Sequence, residues 1–180
     1  MERGQVWLET VIYTLVGLAL IGLVLGIITP RINDYRDRAV VEQTISVLNN
    51  IDAVINAISS DPGNARVIDI QLKKGVIIVD AVNDSISFVL EDSSTLYSEP
   101  GVLTMIGNIE VLTEEFGNDK RVQLMLRYAN ESNISMVNGQ QVRTFMPSSI
   151  PYRFRFENKG INATAPNPLF VIEFREISGG

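Results

Sequence analysis

Cysteine and histidine are both absent from the chain's 180 residues. Without cysteine there is no disulfide framework and no thiolate metal site, so the redox state of the compartment leaves no mark on the sequence. Without histidine as well, the commonest nucleophiles, general bases and zinc ligands are missing together. The composition points away from an enzyme, and no cofactor or metal is expected. Positive charge is also scarce: 15 Lys and Arg stand against 21 Asp and Glu, a net charge of −6, which disfavours generic nucleic-acid binding. Internal repeats and low-complexity segments are lacking too. The length fits one globular domain plus an appendage.

The sequence does contain a long apolar run near its start. Leu15 to Ile28 holds no polar side chain, and extending back to Gln5 gives 24 residues interrupted only by Glu9, Thr10, Tyr13 and Thr14. A helix rising about 1.5 Å per residue would cross a hydrocarbon core of roughly 30 Å with that length. A cleaved signal peptide needs a small-x-small site after its apolar core, and Ile27-Ile28-Thr29-Pro30 supplies none. An uncleaved membrane helix is expected. Within it, Gly22 and Gly26 form a G-x-x-x-G pair, and Pro30 continues the four-residue step. Small residues on one face let helices approach closely in lipid, although glycine is common enough in membrane helices for chance to produce the pattern. Pro30 predicts a kink or local break near Gly26.

Glu9 is the anomaly of this run. A carboxylate inside a membrane helix costs on the order of 2.5–3.5 kcal/mol, less near the interface. Either it sits at headgroup depth or it needs a cation, and Arg3 lies on a different side of the helix turn. A partner from another chain would satisfy it.

These residues resemble the type IV pilins, in particular their archaeal members. In that family a dedicated membrane peptidase cuts a short charged leader after a glycine, and the fifth mature residue is glutamate. Arg3-Gly4 matches the end of such a leader, with Met1, Glu2 and Arg3 ahead of the glycine; Gln5 becomes the first mature residue, and Glu9 falls on the fifth position. The resemblance implies that Glu9 pairs with the free amine of Gln5 on a neighbouring subunit, which would offset burial of the carboxylate. It also implies a prepilin peptidase, an assembly platform with its ATPase, and copies of the same chain as partners. The chain would wait in the membrane with its N-terminus cytoplasmic and its head outside, then join an extracellular filament serving adhesion or surface contact. It directly covers about the first thirty residues. A membrane-anchored binding domain that does not polymerise, and an archaellin-like subunit, are the alternatives.

From Arg31 to Ser59 the pattern turns amphipathic. Val40, Thr44, Val47, Ile51, Val54 and Ile58 form a stripe, Ala39, Leu48 and Ile55 widen it, and Arg36, Asp37, Glu42 and Asn49 are expected to face away. Ser59-Ser60-Asp61-Pro62-Gly63 ends the helix. The organisation expected is a leader over 1–4, a membrane and polymerisation helix over 5–30, an amphipathic continuation over 31–59, and a β-rich head over 60–180.

In the head the period becomes two: Ile68, Ile70 and Leu72; Ile86, Phe88 and Leu90; Val122, Leu124, Leu126 and Tyr128; Tyr152, Phe154 and Phe156; Phe170, Ile172 and Phe174. Turn signals separate these runs at Lys73-Lys74-Gly75, Asn83-Asp84, Gly107-Asn108, Gly117-Asn118-Asp119 and Asn138-Gly139, the last a strong hairpin signal. The fold class expected is α+β, a long N-terminal helix followed by an antiparallel sandwich-like head of about seven to nine strands. Four N-glycosylation acceptor patterns, at Asn83, Asn130, Asn133 and Asn162, fall in or near these turns. Glu114, Glu115 and Asp119 surround a turn without a calcium-loop spacing and read as solvated. Arg127, Arg143, Arg153 and Arg155 are the one candidate basic patch, and guarding strand edges is the expected use for them.

Overall fold

The computed structural model describes residues 2–117, 119–162 and 168–177; of residues 2–6 and 30 it describes the backbone alone. One helix, α1 (Glu2–Ser59), runs without interruption from the N-terminal segment into the head. Its 58 residues correspond to a length of about 87 Å at 1.5 Å per residue. The expected break near Gly26 is not found: the helix continues through Pro30. Thr29 Oγ1 donates to the Leu25 carbonyl at 2.7 Å, so a side chain engages backbone in the turn that proline disturbs.

Ten strands follow: β1 (Ala65–Ile70), β2 (Val76–Asp80), β3 (Ser85–Leu90), β4 (Leu103–Ile106), β5 (Ile109–Phe116), β6 (Asp119–Arg127), β7 (Ser132–Met136), β8 (Val142–Phe145), β9 (Tyr152–Ile161) and β10 (Phe170–Glu176). They form a four-stranded sheet ordered β1-β9-β10-β7 and a six-stranded sheet ordered β4-β5-β6-β3-β2-β8. All pairings are antiparallel except β10 with β7. The chain is therefore α+β, a long helix followed by mostly antiparallel sheets. The period-two residues face inward as expected: Phe88, Val122, Leu124, Phe156 and Ile172 are fully buried.

One expectation about turns is corrected. Asn138 and Gly139 both adopt positive φ, 64° and 68°, as a tight turn requires, but they make no hairpin. The strands on either side, β7 and β8, belong to different sheets, and the turn carries the chain across the core. Lys73-Lys74-Gly75 likewise passes from β1 in one sheet to β2 in the other. The turns at 83–84 and 107–108 do close hairpins, as does the one at 117–118, whose Asn118 lies outside the described residues.

One core joins both sheets and the upper half of α1, with Val41, Leu48, Ile51, Ile55 and Ile58 at 1 % exposure or less. Each such side chain contributes roughly 1.5–3 kcal/mol by leaving water. Phe145 of the six-stranded sheet meets Phe154 at 4.7 Å and Phe174 at 5.8 Å in the four-stranded sheet, so the aromatic faces of the two sheets interlock. The helix stripe is rotated from the expected one. Ala39 is exposed, Val40, Val47 and Val54 are only half-buried, and Asp37, expected to face away, is 3 % exposed.

Candidate functional site

The head has two ends, defined by α1. At the near end, where the helix enters the core, the buried Asp37 carboxylate accepts from Lys74 Nζ and, at 2.8 Å, from the Ser94 amide. Burial pushes this carboxyl up, but the Lys74 ammonium and the Ser94 N–H outweigh it and hold Asp37 below its ordinary value. At the far end α1 stops beneath β9. Asn158, fully buried, donates Nδ2 to the carbonyls of Ile58 at 2.8 Å and Ser59 at 3.2 Å, and its own Oδ1 accepts from Gly160 N–H at 2.8 Å. A helix leaves its last carbonyls without intrahelical donors, and here a side chain a hundred residues away in sequence satisfies them. Between the ends, Tyr128 donates to Asp52 at 3.2 Å. Burial and the Asp52 carboxylate push the Tyr128 phenol far above its ordinary value.

Below the near end, none of the described residues of α1 is buried. Its N-terminal half is long and apolar enough to cross a membrane, and none of its most apolar window is buried. Leu15, Leu18, Leu23 and Ile27 all stand about 60 % exposed. A helix apolar on every side cannot remain in water and requires either lipid or other helices around it. Glu9 is exposed on this segment, one turn above Gln5, so the two positions share a helix face. The backbones of Arg3, Gly4 and Gln5 are helical, their side chains lie outside the described set, and Met1 is outside the described residues altogether. A Cβ added at Gly22 or Gly26 would meet nothing within 4 Å, which leaves both glycines open to a neighbour.

The four acceptor asparagines, scattered in sequence, gather at the far end. The Asp84 carbonyl and carboxylate accept from the amides of Tyr128 at 2.7 Å and Ile134 at 2.7 Å, which joins the Asn83 turn to the segment carrying Asn130 and Asn133. Phe170 pairs with Ser132 on one side and Ile161 on the other, bringing Asn162 to the same rim. All four are exposed. Asn133 lies in the edge strand β7 rather than in a turn, and Ala163 and Thr164 of the last pattern lie outside the described residues. The Asn83 amide already donates to Asp80 at 2.8 Å, and the hydroxyl residues Ser85 and Ser132 of the first two patterns are buried. Sequence spacing alone could not show the clustering, because it depends on pairing between β7, β9 and β10.

The candidate basic patch does not form. Arg127 pairs with Glu110, Arg143 with Glu176, Arg153 with Asp69 and Arg155 with Glu157, and the four are divided between two sheets. Nor do most of them guard edges, since β6 and β9 are interior strands; only Arg143 is on an edge. Glu114 faces Arg121 at 3.6 Å, Glu115 opposes Lys120, and among the described residues no cluster of carboxylates could hold a metal ion. No protein-family model matches the chain, and neither curated proteins nor solved structures yield a match.

Proposed function

We propose that the chain is the structural subunit of a type IV pilus-like surface filament of archaeal type, synthesised as a membrane precursor and cut after Gly4. The observation that carries this reading is the unburied apolar half of α1, joined without interruption to a half that forms the core of the head. Such a helix can move from lipid into a bundle of its own copies while the head stays folded outside. In that bundle Glu9 would accept the new amine of Gln5 on a neighbour, and Gly22 and Gly26 would allow close approach. The head is read as a β-sandwich, on the support of the interlocked rings of Phe145, Phe154 and Phe174. Sugars at the far-end rim would cover the part of the head most remote from the membrane. The partners are the prepilin peptidase, the assembly platform and its ATPase, and copies of the chain; the role is structural rather than catalytic.

Mass spectrometry of the membrane and sheared-surface fractions is expected to find a chain beginning at Gln5. A mature chain retaining Met1 to Gly4 would sink the proposal in favour of a membrane-anchored domain that does not polymerise. Glu9→Ala is expected to be processed normally yet to give no filaments by electron microscopy. Normal filaments from that variant would reduce Glu9 to an interfacial residue.

A further inference from the structure

The cations of this acidic chain are not distributed evenly. On the sheets, arginines sit beside carboxylates, as in Arg121 with Glu91 and Arg153 with Asp69, both at 2.8 Å, except Arg66 of β1, exposed toward the far end. Arg31, Arg36 and Lys73 are exposed and, among the described residues, have no ion pair or side-chain hydrogen bond. All three lie at the near end of the head. Arg36 and Lys73 border an open cleft of about 700 Å³ there, together with Asn33, Gln43 and Lys74. Of the carboxylates beside the cleft, Asp37 is engaged by Lys74 and Glu42 by Arg38, leaving Asp34; Asp92, Glu115 and Asp119 are exposed at the same end, beside β3, β5 and β6 and outside the lining of the cleft.

The position of these cations along α1 is defined by two aromatic residues. Trp7 and Tyr35 are each 73 % exposed, and such rings collect at the two membrane interfaces. The span between them corresponds to about 42 Å of helix, matching a bilayer of roughly 40–45 Å with its headgroups. Arg31 then falls within the headgroup layer and Arg36 at its surface. Helical side chains lean toward the N-terminus, which here is toward the lipid. Lys73 stands at the same level, because its neighbour Lys74 holds Asp37.

We propose that the near end of the head docks on anionic lipid headgroups, with lipid phosphates bound by Arg31, Arg36 and Lys73. This rests on the membrane-precursor reading above. Before assembly the head would be held down against the leaflet rather than standing free on its helix, and entry into a filament would require these contacts to break.

The absence of cysteine allows a direct test on the full chain. A fluorophore on Ser149→Cys, an exposed site sharing a shallow depression with Lys73, reports contact with vesicles carrying a headgroup quencher. The chain is reconstituted in phosphatidylcholine alone or mixed with phosphatidylglycerol. Quenching is expected only with the anionic lipid, and it should fade at high salt. At about fivefold per cation, Arg36→Gln with Lys73→Gln should weaken the docked state roughly thirtyfold. Arg66→Gln, at the far end, should leave it unchanged. Equal quenching in both lipids, or an unaffected double variant, would overturn the docking. Displacement by soluble glycerol phosphate at constant ionic strength would also overturn it, identifying a small-anion site. Flotation separates the two claims: a chain that fails to float with either vesicle removes the membrane reading itself, whereas one that floats without lipid-dependent quenching removes only the docking.

Discussion

At the residue scale, three residues hold the head in ways that neighbours in sequence cannot supply. Asn158 provides the donors for the end of α1, so Asn158→Ala strands the carbonyls of the buried Ile58 and the half-buried Ser59. It is expected to cost roughly 2–4 kcal/mol, read as a lowered unfolding midpoint. Gly75 has φ of 75°, and a Cβ there would lie 2.4 Å from the fully buried Phe88 ring and 2.8 Å from the Val89 carbonyl. Gly75→Ala therefore combines backbone strain with overpacking, again roughly 2–4 kcal/mol. Asp37 carries a pH dependence. Its folded value lies below the ordinary 3.8, so its contribution is present above that value and is lost as pH falls below it. Asp37→Asn is expected to flatten this part of the acid-unfolding profile while lowering stability at neutral pH, since Lys74 then loses its counter-charge.

At the element scale, the proposed function gives α1 two jobs with separable residues. Because nothing surrounds Gly22 or Gly26 in the single chain, Gly26→Leu is expected to leave the unfolding midpoint of the head unchanged and to abolish filaments. Persisting filaments would mean the glycine spacing is coincidental. The helix and its exposed apolar half were legible in the sequence because length and hydropathy are local properties. The period-two strands were legible for the same reason. Strand β2 was not singled out, because Ile77-Ile78-Val79 is apolar without alternation, and β7, rich in Ser and Asn, has no apolar signature. The burial of Asp37 was illegible, since its partner Lys74 arrives from another element. So was the crossing at Asn138-Gly139: the turn type is local, but which strands it joins depends on distant pairings.

At the scale of the whole molecule, the boundary between the exposed apolar half of α1 and the half packed into the head falls between Ile28 and Asp37. A chain beginning at Arg31 keeps every buried core residue. It is expected to be soluble without detergent, monomeric by sedimentation, and as resistant to denaturant as the intact chain in detergent. A drop of more than about 1 kcal/mol would mean that the N-terminal half supports the head. The gathering of Asn130, Asn133 and Asn162 at one rim carries its own expectation: enzymatic removal of sugars should lower the apparent mass without changing the unfolding midpoint, since these side chains are exposed.

The continuity of α1 through Pro30 and into the core has a mechanical consequence. There is no loop between the apolar half and the head to act as a compliant joint, so tension applied to the head runs along a single ladder of backbone hydrogen bonds. Torque follows the same path, because the head grips the helix over several turns from Val41 to Ile58. Rotation of the head and rotation of the N-terminal segment are therefore one motion, and the azimuth of each head is fixed by the seating of its own helix.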